Sequence, residues 1–199
     1  MPIRSSARPG WRLRRQRRVL DALIPARRTV PLFQSQPPPV RLVREALALA
    51  CWAPNHHLTE PWRFYLLGPA ARERVIALNA ALIEAAKGAG AAEKKRQRWR
   101  QMPGWLLVTS HRGRDAVTDE ENFAACCCAM QNCALALWAR GIGMKWTTGE
   151  VTRHPDFLPR LGVDPAAERL VGLFWYGYPA TVPKAQPRRA LDAVLTELP

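Results

Sequence analysis

The sequence contains no apolar run long enough to cross a membrane. A spanning helix needs about 20 such residues, and the greasiest stretch, 124–139, is interrupted by Gln131 and Asn132. Acids are scarce, 16 against 30 lysines and arginines, which leaves a formal charge of +14. Histidine occurs four times, and no HExxH pair sets two of them on one helix face for zinc. The phosphate loop GxxxxGKS/T and the nucleophile elbow GxSxG are also missing. Gly141-Ile142-Gly143 starts like a GxGxxG fingerprint but fails at Trp146, and a strand rather than a helix is expected there. The five cysteines are odd in number, and Cys126, Cys127 and Cys128 are contiguous, so they form no disulfide framework. That usage suits a reducing compartment, and the cytoplasm is the expected location.

What remains is a chain of 199 residues, 48% hydrophobic. Such a chain can bury roughly 70% of its unfolded surface, enough for one real core. Its charge is uneven. Residues 1–28 hold nine arginines against the single acid Asp21. Residues 1–18 therefore read as a disordered basic arm ahead of a domain spanning 19–199. A basic arm suits nucleic acid, anionic lipid or an acidic partner, or is a solvated tail. No aromatic interleaving supports nucleic acid, so the tail is the expected reading. The arm also shares the composition of a transit peptide.

Apolar periodicity predicts helices over 19–28, 40–52, 70–87, 93–101 and 119–140, with a last short one over 191–197. Gly141 stands where a helix-ending glycine belongs. Strands are expected over 62–67, 105–110, 143–148 and 170–176. The helix over 119–140 is apolar nearly all round, which predicts burial in the core or against a partner subunit.

Three groups could carry chemistry. The cysteines on the long helix diverge by about 100° per residue and cannot converge on one ion, so they read as small buried residues and no metal is expected. Asn55, His56, His57 and Glu60 lie on a loop fenced by Pro54 and Pro61, a stiff scaffold for hydrogen-bonding groups. Arg27-Arg28-Thr29 and, far away, Arg188-Arg189 are basic pairs of the kind that grip phosphate through parallel charge-assisted bonds.

Taken in order, these pieces resemble the FMN-dependent nitroreductase family, in particular its small, short-chain branch. The resemblance rests on Arg27-Arg28-Thr29; Ala53-Pro54-Asn55-His56-His57 with Glu60-Pro61-Trp62; Glu120-Glu121-Asn122 with Met130-Gln131-Asn132; Gly141 through Gly149; Val171-Gly172 with Gly177-Tyr178-Pro179; and Pro187-Arg188-Arg189. It covers residues 21–195. It implies an α+β fold with a central, mostly antiparallel sheet flanked by helices. It also implies an intertwined homodimer with FMN at the interface.

By motif position, Arg27, Arg28 and Thr29, helped by Arg188 or Arg189, would hold the phosphate and ribityl end of FMN. Trp52 and His56 would meet the flavin of the partner subunit. Trp146, Thr147 and Thr148 would lie along the ring or phosphate, largely through backbone groups. The chain departs from the family two residues after the hydroxyl, where a further basic residue is usual and Pro31 stands; either one charge is missing there or Lys145 replaces it. The implied activity is NAD(P)H-driven, ping-pong reduction of nitro compounds, quinones or a similar small acceptor. No obligate catalytic side chain is expected, because the cofactor carries the hydride. The alternatives are an FMN-binding protein with a specialised redox role, or a nucleic-acid binder acting through residues 1–18.

Overall fold

The computed structural model describes residues 10–199. Helices α1 (Gly10–Ala26), α2 (Val40–Ala50), α3 (Pro69–Lys87), α4 (Ala89–Arg100) and α5 (Ala116–Trp138) surround strands β1 (Trp62–Leu66), β2 (Gly104–His111), β3 (Gly143–Thr147) and β4 (Glu168–Gly177). The strands form one sheet in the order β1-β2-β4-β3, and every pairing is antiparallel. This is the expected α+β architecture.

Both faces of the sheet are covered. Alternation along β2 and β4 sends Leu106, Val108, Phe174 and Tyr176 to the α2 and α5 side, where they pack with Val43, Leu47, Met130 and Leu137. Trp105, Leu107, Leu173 and Trp175 face the α3 and α4 side, with Ile76, Trp99 and Phe157. Two-sided burial explains why these strands read in sequence as continuous apolar runs.

The helices carry matching stripes. In α2 the buried residues are Val43, Ala46, Leu47 and Ala50, the spacing of one helix face. Asp115 caps α5 by accepting from the Thr118 N–H at 2.8 Å, so α5 starts three residues before the expected Asp119. At its other end Gly141 takes φ 72°, the Gly141 N–H donates to Trp138 and the Ile142 N–H to Leu137, each at 3.0 Å. These are the paired bonds of a Schellman stop.

Two expectations change. The helix before Arg27 begins at Gly10 rather than residue 19, so residues 10–18 are helical and not irregular. Arginine is a good helix former, and Leu13, Leu20, Leu23 and Ile24 fall on one side of this helix. Residues 1–9 of the expected arm lie outside the described residues. The last helix shrinks to one short turn at Leu191–Ala193.

Beyond α1 the chain is held to the sheet. Thr29 pairs with Met144, Phe33 pairs with Pro179, and the Val30 N–H donates to the Met144 carbonyl at 3.2 Å. These contacts bring the first arginine pair against β3.

Candidate functional site

The bridge between Thr29 and Met144 sets Arg27 and Thr29 beside α5 and β3. There they line two adjoining cavities. The wider, about 690 Å³, is bounded by Arg27, Arg28, Thr29, Gln131, Lys184 and Arg188, with tail and α1 residues completing it. The smaller, about 180 Å³, is bounded by Arg27, Thr29, Cys127, Met130, Gln131, Ala134, Met144, Trp146 and Phe174. Arg27, Thr29 and Gln131 belong to both. The result is a groove with a cationic mouth and an aromatic, apolar inner end. Such a groove suits a ligand with an anion at one end and a flat body at the other.

The two distant basic pairs therefore converge, but unequally. The Nε of Arg27 is buried without a hydrogen-bond partner. A buried donor left unpaired costs free energy, and an anion in the groove would satisfy it. Arg28 turns away. Its guanidinium donates to the Pro25 carbonyl and to the Arg27 carbonyl at 2.9 Å, closing the C-terminal end of α1. Arg188 lines the wide cavity. Lys184 joins it from the proline-rich tail. Sequence gave no sign of this lysine, since the tail has no period to orient its side chains.

Trp146 forms the aromatic wall. Its ring packs on Phe174 with centroids 5.0 Å apart, and Gly172 leaves room for it: a Cβ there would lie 2.1 Å from the indole Nε1. Thr147 is buried, and its hydroxyl donates to the Leu173 carbonyl at 2.8 Å, so its side chain serves the sheet. Thr148 is exposed and lines neither cavity.

Lys145 is a correction. Successive strand residues face opposite sides. Met144 and Trp146 reach the groove, so Lys145 projects to the α3 and α4 side, its Nζ 5.3 Å from the centroid of the Trp175 ring. It cannot replace the basic residue that Pro31 displaces.

Trp52 and His56 lie elsewhere within the chain. His56 meets Glu121, Nδ1 to Oε2 at 3.0 Å, near the start of α5. Gln131 of the groove is ten residues further along that helix, about 15 Å at 1.5 Å per residue. Trp52 is 85% exposed. Their loop is held in an unusual shape, with positive φ at His57, Leu58 and Glu60, and the Glu60 N–H donates to Asn55 Oδ1 at 2.9 Å. One chain thus presents the groove and the exposed loop at separate places.

Residues 24–178 match the family model described as the Nitroreductase family. The protein YfhC of Bacillus subtilis (strain 168), provisionally named an NAD(P)H nitroreductase, is 30% identical over 92% of this chain and 96% of its own. A crystal structure of a nitroreductase-like family protein from Bacillus cereus is 27% identical with a TM-score of 0.80, over 90% of this chain and 95% of that one. Another, from Desulfovibrio desulfuricans, is of a provisionally assigned nitroreductase in complex with FMN. It is 25% identical with a TM-score of 0.72, over 91% of this chain and 96% of that one.

Proposed function

Because the chain belongs to the nitroreductase family, we propose that it is an FMN-dependent oxidoreductase using NAD(P)H to reduce nitro compounds, quinones or a similar small acceptor. The observation that carries this reading is the convergence of Arg27 and Arg188 on one cavity, with the Arg27 Nε buried and unpaired. The residues present fit FMN: a cationic mouth for its phosphate and an aromatic inner end for its ring.

Bound FMN supplies the hydride chemistry that no side chain here can perform. The chain's part is binding, orientation and exclusion of water. Arg27, Arg188 and Lys184 neutralise the phosphate charge, and a planar guanidinium also fixes its direction. Thr29 and Gln131 offer a hydroxyl and an amide where the two cavities join. Trp146, Met144 and Phe174 line the inner end and keep water from the ring.

The working unit in this proposal is a homodimer, with FMN where the subunits meet. Its support is the exposure of Trp52 and of His56 on its shaped loop, neither of which lines this chain's own groove. Trp52 and His56 would approach the FMN of the partner subunit.

The test is direct. Freshly purified protein is expected to be yellow and to release FMN on heating. It is also expected to oxidise NADH or NADPH when a nitroaromatic or quinone is present, and to run as a dimer in light scattering. Protein that stays colourless with added FMN sinks the reading. Bound flavin that neither nucleotide reduces would leave only the specialised redox role.

A further inference from the structure

Lys145 belongs to a second constellation, on the sheet face away from the groove. Its Nζ lies 5.3 Å from the ring centroid of Trp175, and Nζ of Lys95 on α4 lies 6.0 Å from that of Trp99. The two indoles touch edge to face, with centroids 5.2 Å apart, and both are buried. One helical turn beyond Lys95 stands Arg98. Lys95 and Lys145 are half-buried and Arg98 is exposed, and each ammonium lies over a ring face.

Among the described residues no carboxylate forms an ion pair with these charges. On the same helix Arg96 pairs with Glu93, and Arg100 pairs with Glu73 of α3. Glu93 also accepts from Gln97. Those pairs engage the nearby acids of α4 and α3, and the ion pairs of the structure include neither Lys95, Arg98 nor Lys145. Burial, then Arg98, then Lys95 hold the Lys145 ammonium below the usual lysine range, as expected where like charges crowd. The indole under Lys145 adds an N–H that is buried without an acceptor. The locus gathers donors that no hydrogen bond or ion pair among the described residues engages.

We propose that Lys145, Lys95 and Arg98 form a binding site for a phosphoryl oxyanion of a small ligand, separate from the groove. A monocarboxylate offsets one of the three cations. A phosphoryl group brings nearly two charges and several acceptor oxygens, enough for two ammoniums and a guanidinium together. The site takes no part in holding FMN, since β3 divides the two faces.

The experiment uses the FMN-loaded full chain and inorganic pyrophosphate, with sodium chloride of equal ionic strength as control. Pyrophosphate at about ten times its dissociation constant is expected to raise the melting temperature by about 3 °C. Lys145→Met and Lys95→Met should each abolish most of that rise. In low salt without pyrophosphate, Lys145→Met should melt higher than the parent, because it removes a crowded charge; a merely structural lysine would make it melt lower. The proposal fails if pyrophosphate does no more than chloride, or if both variants respond like the parent. It also fails if a DNA duplex shifts the melt while pyrophosphate does not, which would mark a polyanion surface.

Discussion

Gly172 on β4 and Trp146 on β3 are fitted to each other: a single methyl group on the glycine would lie 2.1 Å from the indole Nε1. The aromatic wall of the groove stands where it does because the neighbouring strand has no side chain at that point. Trp146 is 40% exposed, so it has room to swing away from an intruding methyl.

Gly172→Ala should therefore act on the cofactor more than on the fold. Overpacking costs about 1–3 kcal/mol, and a displaced ring transfers much of that to the ligand. FMN affinity is expected to fall about tenfold, read by flavin fluorescence titration, while the melting temperature changes little. Unchanged affinity would mean that Trp146 does not form the ring's wall.

Arg27 and Arg28 should separate cleanly although they are adjacent. Arg27→Ala removes a groove donor and should weaken FMN binding at least tenfold, in line with about 1.5–3 kcal/mol for a bond to a charged group. Arg28→Ala removes a cap on the end of α1 and should lower helicity and thermal stability with a smaller effect on FMN. Arg188→Ala should resemble Arg27→Ala. Equal losses of affinity at 27 and 28 would overturn this division.

The buried thiols set an alkaline limit. Burial pushes the Cys126 thiol up to about 11 and the Cys133 thiol up to about 12, against an ordinary value of 9.0. Below pH 9 both thiols are neutral in folded and unfolded chains alike, and stability does not depend on them. Above it the unfolded chain ionises first, so stability falls as pH rises from about 9 towards 12. The slope approaches about 1.4 kcal/mol per pH unit for each thiol. Urea unfolding between pH 8 and 10.5 should show this decline, and Cys126→Ala with Cys133→Ala should flatten it. A slope that the double substitution leaves intact rejects the assignment.

Gly141 isolates a backbone effect. Nothing lies within 4 Å of a Cβ placed there, and φ is +72°. Gly141→Ala should cost about 1 kcal/mol through the left-handed conformation alone, and Gly141→Asn should cost less. Chemical denaturation resolves the order. If alanine proves the milder of the two, conformation at this stop is not the cause.

Much of this was legible in the residues. Strands β2 and β4 fell where the apolar runs lie, because a sheet covered on both sides needs greasy residues without alternation; the edge strands β1 and β3 are shorter and mixed. The helix stop at Gly141 followed from glycine's freedom at positive φ. The convergence of Arg27 and Arg188 was only an expectation of kinship, since spacing along a chain says nothing about where a tail folds back. Lys145 was misplaced because it adjoins Trp146 in sequence, whereas a strand turns neighbours to opposite faces. The start of α1 was missed because a run of arginines looks like a tail until its leucines are set on a helix. Lys184 left no trace in a proline-rich segment.

The short seam between Thr29 and Met144 gives one strip of chain two duties. It carries the guanidinium that faces the groove, and it also shields the outermost strand from other molecules. Occupancy of the pocket and colloidal behaviour are thereby linked: protein depleted of its ligand would tend to let that strip peel off, baring an unpaired strand that invites self-association. Supplying riboflavin during expression should then improve recovery as well as activity.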